Sequence, residues 1–428
     1  MGEILLRAVK DAFEILPPET ALLRNAIGGN AGNLVFSVAS QRILETATNR
    51  VMVDRFAAEP GDADAINERY DAYVLPLANA FRPSYEPLLV RTTALIRRLR
   101  IPVVVLGVGH QATVANDTSR LAPIEGAVRD FVAAVLARGP SIGVRGEMTA
   151  DYLTSLGFRD VEVIGCPSMF WHGDRLTVRD PRPPLAADAR LVLTVSPYLK
   201  RMAPIVERHA ARYPGLTYIA QDIDTLELLL WGEPVGEVSP AEPQPIHPGH
   251  RLFREDRVRM YLDPVPWIDY LATRDLTFGS RIHGTIASVL AGTPAFVLAH
   301  DSRTLELARY FGIPHRLLRD VDPSTVDAAD LYAAADPGPM VDGHAERFAR
   351  FVAYLDRHGL DHRFRSPAPD PDFDIRAAAT AWPPPVTVRS YVPPAGLRGV
   401  IKRSRRRVKR LARVPLVRRI RTRLARNR

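Results

Sequence analysis

The chain has 428 residues, more than one ordinary domain core accommodates, so we expect two domains and additional segments. Its 46% hydrophobic and 25% charged residues are typical of a globular protein. The one cysteine, Cys166, excludes an internal disulfide and favours a reducing compartment. No apolar run reaches the roughly 18 residues that a membrane-spanning helix needs, and no secretion signal is recognisable, so we expect a cytoplasmic location.

The net charge of +9 is concentrated near the C-terminus. Residues 398–428 contain fifteen Lys and Arg and no acidic residue, which leaves the rest of the chain with a net charge of −6. Binding to nucleic acid or to an anionic membrane is therefore expected of this segment and not of the folded body.

The first part of the chain alternates between strand-like and helix-like segments. We predict strands at residues 20–27, 71–77, 102–108, 141–144 and 161–164, and helices at residues 34–46, 87–99, 124–137 and 147–156. This alternation predicts an α/β fold, with a parallel sheet that carries helices on both faces.

A second alternating series follows the polar, proline-rich residues 179–184. Its predicted strands are residues 190–195, 216–220, 276–278 and 295–299, with a short helix at 285–291 and a closing helix at 348–357. We therefore predict two Rossmann-like domains, at residues 1–180 and 185–360, that face each other across a cleft. A Pro-rich linker at 366–396 and a basic amphipathic tail at 397–428 complete the predicted organisation.

The turn after the strand at residues 276–278 contains Arg281 and His283. The carboxyl end of a parallel strand opens into the ligand crevice, and a helix N-terminus attracts anions. Arginine grips phosphate or carboxylate with a planar fork, and histidine exchanges protons near neutral pH. We predict a reactive site here, with Ser280 and Gly284 in substrate binding. The alternative is a surface arginine beside a histidine that caps the helix.

Three other turns are candidates for the same site. Arg145 also follows a short strand and precedes a helix; the alternative is an ion pair with Glu147. Gly109 and His110 follow the strand at residues 102–108, where the polar residues after them disfavour a nicotinamide site and leave a plain tight turn as the alternative. Gly29, Asn30 and Asn33 lie in a glycine-rich loop that could bind a second substrate or simply lead into the next helix. The scattered histidines and the one cysteine predict no metal site.

The sequence Gly279-Ser280-Arg281-Ile282-His283-Gly284 resembles a motif of the polysaccharide pyruvyl transferase family. Further similarities lie at residues 144–147, 152–157, 165–168, 292–294 and 308–314, so the resemblance spans residues 27–315. Two positions depart from the family pattern: Cys166 stands where aspartate is common, and residues 300–303 replace an aromatic–lysine stretch.

The resemblance implies a GT-B-like enzyme that transfers a pyruvyl group from phosphoenolpyruvate to a sugar as a ketal, without a cofactor. It implies that Arg281, Arg145 and His283 hold the donor and assist proton transfer, and we assign His300 to substrate binding. The acceptor is expected to be a sugar of a cell-surface glycan or of its lipid-linked precursor. A nucleotide-sugar glycosyltransferase and a non-catalytic glycan-binding protein are the alternatives.

The basic tail carries apolar residues at helical spacing. They are Ile401, Val408, Leu411, Val414, Val417, Ile420 and Leu424. This pattern predicts an amphipathic helix that binds the inner face of an anionic membrane, against the alternative of a disordered arginine-rich tail. Nucleic-acid binding is disfavoured because the tail contains no aromatic residue to stack on bases.

Overall fold

The computed structural model describes residues 2–236, 243–365, 372–393 and 396–411. The first half is built on a parallel sheet with the strand order β2-β1-β3-β4. Its strands are β1 (Gly2–Leu6), β2 (Asn49–Val53), β3 (Ala72–Pro76) and β4 (Val103–Leu106), and a smaller parallel pair comprises β5 (Ile142–Val144) and β6 (Val161–Val163). The helices of this half are α1 (Pro18–Arg24), α2 (Gly32–Leu44), α3 (Ala63–Arg69), α4 (Glu86–Arg98), α5 (Glu125–Leu136) and α6 (Glu147–Ser155).

The second half is built on a six-stranded parallel sheet with the order β12-β11-β10-β7-β8-β9. Its strands are β7 (Leu191–Thr194), β8 (Thr217–Ile219), β9 (Val258–Arg259), β10 (Leu276–Gly279), β11 (Ala295–Ala299) and β12 (His315–Leu317). Its helices are α7 (Ala203–Arg212), α8 (Ile223–Trp231), α9 (Arg251–Arg254), α10 (Pro264–Ala272), α11 (Ile282–Leu290) and α12 (Ser302–Phe311). The predicted α/β fold with two parallel sheets is confirmed.

The strand order reverses once in each large sheet. The chain leaves β1 toward β2 and then returns to β3 on the other side, and it leaves β7 toward β8 before it returns to β10. Ligands of open α/β sheets bind at such switch points, outside the carboxyl ends of the strands. The topology therefore predicts a ligand site at the loops that follow β1, β3, β7 and β10.

Helix α2 lies between the two sheets. Every residue of α2 except Asn33 is buried, because the helix is covered from both halves. Phe36 of α2 shares one apolar cluster with Val289 of α11 and with residues of both sheets. This shared packing brings the N-termini of α2 and α11 to the same region between the halves.

Two early elements differ from the predictions. The predicted strand at residues 20–27 is the helix α1, which begins with Pro18 and has Glu19 in its first turn, both favourable at a helix start. The strand that the sheet requires before α2 is β1, at the start of the chain. Its apolar residues are few in number, and the sequence pattern did not reveal it.

The last part of the described chain carries α13 (Ala328–Ala333), α14 (Gly338–Asp342), α15 (His344–Arg357), α16 (Asp372–Ala379) and α17 (Gly396–Leu411). Helix α15, predicted to close the second domain, instead packs on the first sheet. The buried Tyr354 hydroxyl donates to Val105 O at 2.8 Å and accepts from Gly143 N at 3.0 Å. The chain therefore returns to its first half before residue 360.

The described part of the predicted linker is packed against the body. Phe373 of α16 is buried, and Asp374 pairs with Arg42 at 2.8 Å. Val386 forms an antiparallel bridge with Met260 of the second half. A few apolar and charged side chains thus anchor residues 372–393 of the predicted Pro-rich linker to the body.

Helix α17 contacts the body through its basic face. Arg406 is 5% exposed, and its Nε lies 3.4 Å from Glu227 Oε2. Val400, Ile401 and Val408 point away from the body, with exposed fractions of 50%, 41% and 65%. Among the described helices, none has the length and apolarity to cross a bilayer.

Candidate active site

A cavity of about 390 Å³ lies where the loops after β3, β8, β10 and β11 meet the N-terminus of α2. Nineteen residues line it: Gly28, Gly29, Asn30, Asn33, Ala78, Asn79, Arg82, Ser84, Gln111, Arg145, Gln221, Asp222, Ser280, Arg281, Ile282, His283, His300, Arg303 and Thr304. Both halves contribute, as the predicted cleft requires. Eight predicted site residues are among the lining: Gly29, Asn30, Asn33, Arg145, Ser280, Arg281, His283 and His300.

The turn between β10 and α11 orients the first group of these residues. Gly279 has a φ of +143°, and a side chain there would overlap the backbone of Thr194 at the end of β7. Ser280 N and Arg281 N both donate to Thr194 O, at 2.8 and 3.2 Å. The tight turn starts α11 at Ile282 and leaves Arg281 and His283 at the cavity wall.

The half-buried Arg281 forms a close ion pair with the buried Asp222, which precedes α8. Burial raises the pKa of the Asp222 carboxyl, while Arg281 opposes that rise. Asn30 Nδ2 lies 3.4 Å from Asp222 Oδ1 and so links the first half to this pair. The Nε of Arg281 is buried and has no hydrogen-bond partner within the described structure.

Arg145 lies almost wholly buried on the opposite wall. Its Nε donates to Gly107 O at 3.0 Å, and no ion pair with Glu147 occurs in the described part of the chain. A side chain at Gly109 would come within 2.8 Å of Arg145 Cδ, so this glycine leaves room for the arginine. Burial lowers the pKa of the Arg145 guanidinium, which remains far above neutrality in any protein.

His283 is held between apolar and sulfur contacts. Its ring centroid lies 5.5 Å from that of Phe36, and its Nε2 lies 3.9 Å from Cys166 Sγ. Burial, reinforced by Arg145, Arg303 and Arg281, lowers the pKa of His283 to about 3. The imidazole is therefore neutral at pH 7 and can accept a proton before it donates one.

Arg82 and Arg303, which the sequence analysis did not identify as site residues, also line the cavity. Arg82 Nη1 donates to Asn79 O at 2.7 Å, and Arg303 Nε donates to Asp301 Oδ2 at 2.7 Å. Burial lowers the pKa of Arg82, and repulsion from Arg303 and Arg145 adds to that effect. Both residues follow strand ends, which is the signal that could have revealed them.

Three predicted binding residues do not line the cavity. Gly109 makes room for Arg145, and a side chain at Gly284 would lie 2.7 Å from both Gln221 and Thr194, so both glycines serve close packing. His110 is fully buried; its ring nitrogens contact Thr149 Oγ1 at 2.9 Å and Asn116 Oδ1 at 2.8 Å. Their assignment to substrate binding stays a prediction that the lining of this cavity does not support.

His300 remains at the cavity wall, where its Nε2 lies 3.6 Å from Asp301 Oδ2. Its Nδ1 is buried and, within the described chain, has no hydrogen-bond partner. Burial lowers the pKa of His300, so this ring is also predominantly neutral at pH 7. Across the described residues, no three His, Cys, Asp or Glu side chains form a group suited to a metal ion.

The family model described as polysaccharide pyruvyl transferase matches residues 30–302, which include every lining residue of this cavity except Gly28, Gly29, Arg303 and Thr304. No curated protein shows significant sequence similarity to the chain.

Several solved structures are similar to the chain over most of their length. MnaA of S. aureus with UDP has 14% identity and a TM-score of 0.42, with 86% of this chain and 100% of that one covered. UDP-GlcNAc 2-epimerase from Neisseria meningitidis bound to UDP-GlcNAc has 11% identity and a TM-score of 0.44, with 83% and 100% covered. Similarity at this level carries no argument about ligands.

Proposed function

Because the chain belongs to the polysaccharide pyruvyl transferase family, we propose that it transfers a pyruvyl group from phosphoenolpyruvate to a sugar of a cell-surface glycan or its lipid-linked precursor. One observation supports this proposal most directly: Arg82, Arg145, Arg281 and Arg303 surround one cavity together with His283. Phosphoenolpyruvate carries a carboxylate and a phosphate, and arginine forks bind both groups well.

The cavity contains cationic groups and hydrogen-bond donors that are available to an anion. In the described chain, Arg82 and Arg145 have no carboxylate partner, whereas Asp222 and Asp301 pair with the other two arginines. The neighbouring guanidinium groups repel each other, so a bound dianion would relieve that repulsion. Three buried side-chain nitrogens of lining residues have no hydrogen-bond partner within the described residues: Arg281 Nε, Gln221 Nε2 and His300 Nδ1. Buried donors without partners favour a site that is completed by its ligand.

The proposed reaction uses His283 first as a base and then as an acid. A sugar hydroxyl attacks the carbon that bears the phosphate ester, and His283 takes the hydroxyl proton. The double-bond electrons then accept that proton at the terminal methylene, which becomes the methyl group. A second hydroxyl of the sugar displaces phosphate, which leaves with the electrons of its C–O bond and with the second proton, so that the ketal closes.

The low pKa of His283 agrees with this order of events, because the base must be neutral when the acceptor arrives. The protonated imidazole then lies beside the anionic donor, which stabilises it for the moment between the two transfers. Arg82 and Arg145 would stabilise the charge that develops on the departing phosphate.

The decisive measurement is phosphate release from phosphoenolpyruvate, screened against lipid-linked and nucleotide-linked sugars. We expect release with at least one acceptor and a loss of about 10²–10⁴-fold in kcat for His283→Ala. His172→Ala, at an exposed position outside the cavity, is the matched control. Consumption of a sugar nucleotide without phosphoenolpyruvate would instead support a glycosyltransferase, and near-normal turnover of His283→Ala would refute the role of this histidine.

We further propose that helix α17 binds an anionic membrane at the inner face. Arg406 is engaged with the body, and the exposed side chains of Val400, Ile401 and Val408 would enter the interfacial region. The predicted apolar positions Val414, Val417, Ile420 and Leu424 lie outside the described residues. The basic residues of the segment after α17 would add attraction to anionic headgroups.

Sedimentation with vesicles of phosphatidylserine and phosphatidylcholine tests this proposal. We expect the double variant Ile401→Ser/Val408→Ser to bind the vesicles at least about fivefold more weakly, since each side chain loses apolar burial. Val90→Ser, at an apolar position of similar exposure on α4, is the control. Equal binding of the double variant and the wild type would refute the role of this face.

A further inference from the structure

A second, smaller cavity opens beside the first. It has a volume of about 210 Å³ and shares Gly28, Asn33, Ala78, Asn79 and Arg82 with the larger cavity. The two cavities are therefore neighbouring compartments of one site, and a molecule in the smaller one could reach the donor compartment. All of its lining residues belong to the first half of the chain.

An unusual backbone conformation fixes one wall of the smaller cavity. Arg55 and Phe56 are consecutive non-glycine residues in the left-handed region, with φ values of +53° and +56°. Such a conformation costs free energy and persists only where the surroundings impose it. Asp54 imposes it here, because its Oδ1 accepts from Phe56 N at 2.8 Å and from Ala8 N at 3.2 Å.

This loop places the aromatic ring of Phe56 at the cavity wall. The Arg7 guanidinium lies over the ring, 4.5 Å from its centroid, and Arg7 Nη2 lies 3.4 Å from the hydroxyl of Tyr85. A side chain at Gly28 would come within 3.1 Å of the Phe56 ring, so the glycine loop and the ring are in close contact. The rings of Phe56 and Tyr85 thus line the cavity together with the buried Arg7, which contacts both of them.

Amide groups provide the polar part of the same wall. Asn33 Nδ2 donates to Gly28 O at 3.0 Å, which fixes the amide while its oxygen remains an acceptor. Asn79 is 6% exposed and lies beside Arg82, at the boundary between the two cavities. Aromatic rings beside fixed amides are suited to a sugar ring, whose C–H face packs on an aromatic surface while its hydroxyls exchange hydrogen bonds.

We propose that the smaller cavity is the acceptor subsite and holds one uncharged pyranose ring against Phe56 and Tyr85. Asn79 and Arg82 at the boundary would then direct two hydroxyls of that ring toward the larger cavity. The identity of the ring as an acceptor rests on the proposed pyruvyl transfer, whereas its binding to this cavity does not. The strained loop has a function on this view, since it holds Phe56 in position before the sugar arrives.

Saturation-transfer NMR tests the binding independently of any reaction. The probes are the methyl glycosides of glucose, galactose and mannose, mixed at millimolar concentration with the full chain. We expect saturation transfer from the protein to at least one glycoside. Binding to Phe56→Ala should be about tenfold weaker, because the contact between the sugar and the aromatic ring is lost. Phe56→Leu keeps the bulk of the side chain and the fold, and it should also weaken binding.

Two comparisons complete the experiment. Phe13→Leu changes a ring that packs on Phe373 outside this cavity and should bind the glycosides like the wild type. If the glycoside that receives saturation also accepts a pyruvyl group, Phe56→Leu should raise the KM for that acceptor. The KM for phosphoenolpyruvate should stay unchanged. Absence of saturation on all three glycosides, or equal saturation in Phe56→Ala, Phe56→Leu and wild type, overturns the subsite. Sugar binding that depends on Phe56 without any phosphate release would retain the subsite and refute pyruvyl transfer.

Discussion

The contact between Cys166 and His283 offers a direct test of how this site sets the protonation of its histidine. The thiol is buried, and its Sγ lies 3.9 Å from His283 Nε2. The family resemblance leads one to expect aspartate at this position, so Cys166→Asp restores the common residue. It also places a carboxylate beside the imidazole.

The expected effect follows from the distance. Two unit charges about 4 Å apart attract by roughly 4 kcal/mol at an effective dielectric constant near 20. That attraction would raise the pKa of His283 from about 3 to roughly 6, since about 1.4 kcal/mol corresponds to one pH unit. Arg145 will share the new carboxylate, so this value is the upper end of the expected rise.

The assay is NMR of imidazole-labelled protein between pH 5 and 8, with the His283 resonance identified by its loss in His283→Gln. Wild type and Cys166→Ser should show no titration of His283 in this range, because neither has a carboxylate beside the ring. Cys166→Asp should show titration of His283 that enters this range, with a midpoint of at most about 6. A wild-type His283 that titrates near 6.5, or an unchanged pKa in Cys166→Asp, would refute the reasoning.

The other predictions concern stability. Burial raises the pKa of Glu306 to about 7, so the folded state holds a proton that the unfolded state releases between pH 4.5 and 7. Stability from this group is present at low pH and lost as pH rises through that window, by up to about 3 kcal/mol, and Glu306→Gln should remove this dependence. Urea unfolding at pH 5 and 8 measures this pH dependence of the free energy of unfolding. A difference in stability between Glu306→Gln and wild type that is the same at both pH values would contradict the prediction. Tyr354→Phe leaves Val105 O and Gly143 N without their buried partner and should cost about 1–3 kcal/mol in urea unfolding. The exposed Tyr391→Phe should cost almost nothing, and equal stability of the two variants would show that α15 is not held to the first sheet by this hydroxyl.

The strands of the sheets were predictable because their residues are buried on both faces. The β4 sequence Val-Val-Val-Leu and the apolar β11 are continuous apolar runs, which is the pattern of parallel strands buried on both faces. By contrast, β1 was not predicted, because a short apolar run such as Ile4–Leu6 cannot be told from a helix segment by periodicity. The crossing of α15 to the first sheet could not be found either, since an amphipathic pattern identifies a buried face without naming its partner.

The site was predictable to the extent that strand ends determine it. Arg281 and Arg145 were found by their position after short strands, and both line the cavity. The loop after β4 also reaches the cavity, but it does so through Gln111, whereas His110 is turned to Thr149 and Asn116. Arg82 lies in the loop after β3, which borders the switch point between β1 and β3, but this loop contains no motif that indicates a site. A position after a strand thus identifies the loop, whereas the side chains that face the cavity are decided by packing that the sequence alone does not provide.

The ion pair between Arg281 and Asp222 limits how a donor can bind, and no sequence motif indicates it. If the donor took Arg281 from Asp222, it would leave a buried carboxylate without its partner, which costs about 3–5 kcal/mol. Binding to Arg281 Nε, Arg82 and Arg145 avoids that cost, because these groups can bind an anion while Arg281 stays paired with Asp222. Asp222 also contacts Asn30 of the first half, so an intact pair keeps the two walls of the cavity together during binding. If the proposed donor binds here, we therefore expect Asp222 to stay paired with Arg281 and the strength of donor binding to depend mainly on Arg82 and Arg145, which have no carboxylate partner in the described chain.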